Sequence, residues 1–140
     1  MNQIVSVGII LARTNFGEAD RIITILTPDH GKVRLMAKGV RRIKSKLAGG
    51  VELFSISDIT FITGRGEIGT LISSRLKTHF NEIAKDIDRT MYGYEMLKVI
   101  NKVTEDMAGE EYFNLLSVAL EALNQSSLSL ESLSLWFKII

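Results

Sequence analysis

The 140-residue chain contains no cysteine, one proline, one tryptophan and two histidines. Without cysteine there is no disulfide and no thiolate metal site, so packing alone must hold the fold, and the expected compartment is the cytoplasm. His30 and His79 each lack a second histidine or an acid at ligand spacing within their own segments, so neither a metal nor a cofactor is expected. No Ser/His/Asp arrangement and no marked carboxylate pair is present, and the chain is read as non-enzymatic. The apolar patch in MNQIVSVGIILARTNF is too short for a membrane span and lacks a basic leader, so it reads as a buried strand and no membrane partner is expected. Aromatics are scarce in residues 1–77, where only Phe16, Phe54 and Phe61 occur, so no base-stacking platform is evident there.

What is present is an ordinary globular composition, 46% hydrophobic and 24% charged, with a formal net charge of +1 that hides an asymmetry. Residues 1–80 carry 12 Lys and Arg against 6 Asp and Glu, whereas residues 81–140 carry 5 against 10. A basic half calls for an anionic partner such as nucleic acid or a lipid surface, and the acidic half argues against uniform polyanion binding.

The first 80 residues are rich in β-branched residues punctuated by turn signals. Strands are expected over about Gln3–Thr14, Arg21–Thr27, Lys32–Lys38, Phe54–Thr63 and Gly69–Lys77. Period two puts Val5, Val7, Ile9 and Leu11 on one face of the first strand. In the third it puts Val33, Leu35 and Ala37 on one face, and Lys32, Arg34, Met36 and Lys38 on the other. Three strands, a connector and two further strands are the layout of an OB-type barrel, which binds oligonucleotides. In the connector, Val40, Ile43 and Leu47 fall at spacings of three and four, which predicts a helical turn plugging one barrel end. From about Asn81, taken as a helix cap, the period becomes 3.6 and predicts one long helix with the stripe Ile83, Ile87, Met91, Tyr94, Leu97 and Ile100. A second helix is expected over Glu110–Asn124 with Phe113, Leu116, Leu120 and Leu123 buried. A third from about Leu130 carries Leu133, Trp136, Phe137 and Ile140 and ends uncapped, which reads as a helical domain cut short. The expected class is therefore α+β: a five-stranded OB-fold barrel over residues 1–80, followed by a truncated, incomplete helical domain over residues 81–140.

Two motifs bear on chemistry. Gly64-Arg65-Gly66-Glu67-Ile68-Gly69 matches G-x-G-x-x-G, but the residues after it favour a strand where a dinucleotide site needs a helix, so the run reads as a hairpin loop in which Arg65 is a candidate phosphate contact. The other motif is the basic run: seven Lys and Arg from Lys32 to Lys46 with no acid among them. Lys32, Arg34, Lys38, Arg41, Arg42, Lys44 and Lys46 could track successive phosphates, binding nucleic acid in a salt-sensitive and largely sequence-blind way; the plain alternative is a solvated surface.

The combination of GEADRI, HGK, AKG-x-RR and KS-x-LAG, with a second β pair and GRGEIGTL after them, resembles the RecO family of bacterial recombination mediators over essentially the whole chain. The resemblance implies an OB-fold followed by helices, and binding of single- and double-stranded DNA at the basic positions already named. It further implies annealing of complementary strands, contact with the acidic tail of single-stranded DNA-binding protein (SSB), partnership with RecR in loading the recombinase RecA on SSB-coated DNA, and a place in the bacterial cytoplasm at the nucleoid. Some members hold zinc through four cysteines, which this chain lacks, so no metal is carried over. The helical region that receives the SSB tail in some members is incomplete here. The rival reading is a protein-interaction adaptor whose basic face meets an acidic peptide tail and not DNA.

Overall fold

The period-two runs form five strands in the computed structural model, which describes residues 3–63, 66–104 and 109–125. They are β1 (Gln3–Phe16), β2 (Asp20–Thr27), β3 (Gly31–Ala37), β4 (Ser55–Ile62) and β5 (Ile68–His79). The sheet closes in the order β1-β2-β3-β5-β4, with β4 returning antiparallel to β1. Among the described residues the one parallel seam is short, Arg34–Met36 against Ile68–Thr70. This is the five-stranded OB-type barrel that the spacing predicts.

Its interior is filled by Ile10, Ile23, Ile25, Leu35, Ile59, Phe61 and Leu71, and one end is closed by Val40 and Val51 with Leu47 and Ala48 partly buried. The connector departs from expectation. It forms no α-helix, only isolated turns and one 3-10 turn at Ala48–Gly50, and Ile43 is fully exposed. The reason is local: Gly39 takes φ +67°, a left-handed conformation that reverses the chain. The N–H groups of Arg42 and Ser45 then bond three residues back, at 3.0 Å each, so no helical face exists to align Ile43 with Val40.

β1 also differs from its predicted pattern. Ile9 and Leu11 are buried, but outside the barrel and under the helices, while Ile10 from the opposite face enters the barrel and Val5 is 72% exposed. The unbroken apolar run VGIIL is thus a strand covered on both faces.

The single long helix expected from Asn81 is two, α1 (Asn81–Lys85) and α2 (Ile87–Val103), and α3 spans Glu110–Asn124 as predicted. Asp86 takes an extended conformation and caps α2, its side chain accepting the Asp88 N–H at 3.2 Å. This break rotates the apolar stripe. Met96, Leu97 and Ile100 are buried, whereas Ile87 and Met91 are 78% and 62% exposed and Tyr94 is half-exposed. Asn81 caps nothing; Asn124, at the end of α3, accepts the N–H groups of Glu82 and Ile83 at 2.9 and 3.2 Å. In α3, Leu116, Leu120 and Leu123 are buried and Phe113 partly so. The segment expected from Leu130 onward, with Trp136 and Phe137, lies outside the described residues. No helix among the described residues is long and apolar enough to cross a membrane.

Barrel and helices are joined by specific contacts. Phe54, a non-glycine residue at φ +60°, lays its ring on α2 at Gly93, where a Cβ would stand 2.6 Å from Phe54 Cε1 and 3.2 Å from Ile83 Cγ2. Lys32 Nζ donates to the carbonyl oxygens of Asn101 and Thr104, 2.8 Å each, at the C-terminal end of α2. Gly93→Ala therefore separates two effects of opposite sign. Helix propensity alone favours alanine by about 1 kcal/mol, but overpacking against the buried Phe54 ring costs about 1–3 kcal/mol. The variant is expected to show a lower urea midpoint, and Phe54→Leu in the same chain to recover most of the loss.

Candidate nucleic-acid interface

The basic connector is clasped onto the β1–β2 turn. The Gly39 N–H donates to Asp20 Oδ1 at 2.7 Å, and the Arg41 N–H to the Ala19 carbonyl at 2.9 Å. The Arg41 guanidinium donates through Nε to the Asp20 carbonyl at 3.2 Å and through Nη2 to that of Gly17. Anchors on either side of residue 40 direct Val40 inward, where it is 3% exposed. The other cations of the loop stay outside: Lys38, Arg42, Lys44 and Lys46 are exposed, and among the described residues none of them forms an ion pair.

The remaining sequence candidates divide. Lys32 does not join an open phosphate stripe, because its ammonium is committed to the carbonyls ending α2, where a cation offsets the helix dipole. Arg34 pairs with Glu67 at 2.5 Å across a shallow cleft of about 210 Å³ that Lys32 and Gly69 also line. Both partners are open to solvent, so the pair is worth about 0–1 kcal/mol and can yield to a competing anion. Arg41 is half-buried with one edge of its fork in use. Arg65 lies outside the described residues. Gly69, the last glycine of the G-x-G-x-x-G run, lies in β5, a strand and not a helix. Among the described residues no group of three or more His, Cys, Asp or Glu could hold a metal ion.

Two cations were not legible as site residues. β1 carries a bulge between Ile10 and Ala12, after which Arg13 falls opposite Ile23 and Asn15 opposite Arg21. Arg21 Nε donates to Asn15 Oδ1 at 2.9 Å, which fixes its guanidinium. Burial first, and the neighbouring Arg21 charge second, lower the Arg13 pKa from its ordinary value. The signal available in the sequence was the pair of arginines flanking a turn, but the bulge that brings them together breaks the period on which facing is judged.

The arrangement presents cations on a rigidly seated loop, suited to holding a polyanion by its charge. Removing the clasp tests the seating: Asp20→Ala deletes an acceptor for the half-buried Gly39 N–H, at a cost of about 1 kcal/mol. The expected result is faster hydrogen exchange at the Gly39 amide, together with a lower unfolding midpoint.

Residues 1–80 match the family model described as "Recombination protein O N terminal". The chain is 32% identical over 133 residues to the DNA repair protein RecO of Alkaliphilus metalliredigens, an alignment covering 94% of this chain and 54% of that protein. It is 33% identical over 119 residues to that of Halalkalibacterium halodurans, covering 84% and 46%. With that of Acetivibrio thermocellus it shares 37% identity over 103 residues, covering 74% and 41%. The chain thus spans about half the length of the curated relatives it matches. With the barrel order, the clasped basic connector and these matches together, the chain belongs to the RecO family of DNA repair and recombination proteins.

Proposed function

We propose that this chain is the phosphate-gripping portion of a non-enzymatic recombination mediator, and that it binds both single- and double-stranded DNA through the connector. The observation that carries the reading is the set Lys38, Arg42, Lys44 and Lys46: four exposed cations within nine residues, free of ion pairs among the described residues, on a loop pinned by Asp20 and Arg41. Pinning matters because a loop ordered beforehand loses less entropy when it binds. Arg34 and Arg41 contribute at the edges of this patch, the first by exchanging Glu67 for a phosphate and the second through the free edge of its fork, and Arg65 is a further candidate contact. Lys32 is withdrawn from the contact set in favour of a role at the helix end. Backbone contact of this kind is blind to sequence and suits strand annealing, in which two strands must be held without choosing their bases. The family implies the rest of the activity: cooperation with RecR, contact with the acidic SSB tail and loading of RecA on SSB-coated DNA. These belong to the longer protein of which the relatives are examples.

A salt titration tests the reading. If the four connector cations each neutralise one phosphate, log K should fall against log salt with a slope of roughly −3.6 on duplex and −2.8 on single strands, about 0.9 and 0.7 per contact. Lys44→Glu with Lys46→Glu should flatten the slope and weaken binding to all sequences alike. Lys32→Gln should lower the melting temperature while leaving the slope unchanged. A slope near zero, or an acidic peptide that displaces DNA without loss of its own affinity in the connector variant, would sink the DNA reading.

A further inference from the structure

A second cleft, of about 320 Å³, opens between the barrel end and the helices, and its lining includes Arg13 of β1, Phe54 at the joint, His79 at the end of β5, and Thr90 and Tyr94 of α2. It lies at the lower end of the roughly 300–1,000 Å³ range of small-ligand sites. We propose, resting on the phosphate-binding reading above, that this cleft receives one nucleotide of a single strand, with its phosphate on Arg13 and Arg21 and its base against Tyr94.

Three observations carry this. First, among the described residues the Arg13 guanidinium makes no hydrogen bond, and Glu52, the one acid of the lining, forms no ion pair with it. Arg21, held through Nε by Asn15, lies close enough to repel it. The Glu52 carboxylate offsets less than the Arg21 repulsion at Arg13, so an anion set between the two guanidinium groups would relieve them, and the planar fork of each suits phosphate oxygens. Second, Tyr94 packs against Phe54, with ring centroids 5.4 Å apart at a 48° tilt, is still 48% exposed, and lines the cleft. A buttressed aromatic with open area is what an unstacked base uses. Third, the β1–β2 hairpin links Arg13 of the cleft to the connector. Arg21 pairs in register with Ala37, the residue before Lys38, and the turn between Arg13 and Arg21 is the one that Arg41 clasps. A strand tracked by the connector cations therefore leads down the β1–β2 hairpin to Arg13.

Strand preference is the consequence. A base inside a duplex is stacked and paired, and would have to be flipped out at a cost to reach Tyr94. The connector holds either form of DNA, and the cleft adds affinity for the single strand alone.

The test uses the full 140-residue chain with a fluorescein-labelled 20-nucleotide thymidine strand and a 20-base-pair duplex. Tyr94→Ala is expected to weaken single-strand binding about tenfold, the scale of one stacked base, with duplex binding unchanged and Tyr94→Phe close to the parent. Arg13→Gln should weaken the single strand in the same selective way. Because Tyr94 also supports Phe54, the parent chain is probed as well with a strand carrying 4-thiothymidine, whose photo-crosslink should map to the peptide containing Tyr94. Equal loss on both DNA forms, no loss on either, or crosslinks confined to the connector would overturn the cleft. The connector reversal separates the two readings: if it abolishes binding while the cleft variants and crosslinks show nothing, the phosphate grip stands and the cleft falls. If the parent binds neither DNA form, the phosphate grip itself fails.

Discussion

One carboxylate organises the connector end of the barrel. Asp20 accepts the Gly39 N–H, and the backbone of its own turn accepts both the main chain and the side chain of Arg41. Residue 40 lies between these anchors and is driven into the barrel mouth, where Val40 and Val51 cover the interior. The same anchors force Lys38, Arg42, Lys44 and Lys46 to remain outside. Closing the core and presenting charge are thus one event, and a change that released the clasp would expose apolar surface and scatter the cations together. The hydrogen bonds involved are charge-assisted at Asp20 and at Arg41, which makes them stronger than ordinary loop contacts.

The second organising feature is that β1 serves two cores. Ile10 faces the barrel interior, while Ile9 and Leu11 lie under the helices with Leu26, Phe54, Leu97 and Leu120. Barrel and helices therefore do not meet as two finished surfaces; they share a strand. Phe54 locks the joint by occupying the space that a side chain at position 93 would need, and Lys32 adds a polar tie at the far end of α2. At the other end, Arg89 donates to the carbonyls of Leu123 and Gln125 and pairs with Asp86, so α2 and α3 are bound to one another near the helix break. The helices are held against the barrel at several points.

How much of this was legible depends on which signals are local. The five strands, α3 and the basic run could be read because each depends on period, turn chemistry or composition within a short window. The non-helical form of the connector plug, with Ile43 left outside it, could not, since the spacing of Val40, Ile43 and Leu47 is helical only if the chain is helical, and Gly39 with the Asp20 clasp prevents that. The rotation of α2 was hidden for a related reason: Ile87 continues the stripe of Ile83 only if no break intervenes, and an aspartate mid-helix is ambiguous until it is seen to cap. Lys32 looked like its neighbours on β3 because its partners, Asn101 and Thr104, lie some seventy residues on. Arg13 was concealed by the bulge at Leu11.

The charge distribution now has a physical reading. With a net charge of only +1, the molecule generates little field at a distance, and beyond the Debye length of about 8 Å at physiological salt its two halves largely cancel. Within that distance the connector's cations outnumber the one carboxylate clasped to them, Asp20, and the acids of the helical half lie on other elements. A uniformly basic protein would coat any polyanion. A patch of this kind acts at contact range, with the acids of the helical half set on other elements. Lys32 marks where the two halves meet: a cation of the basic half neutralises the negative end of an acidic-half helix, so the segregation of charge helps hold the molecule together.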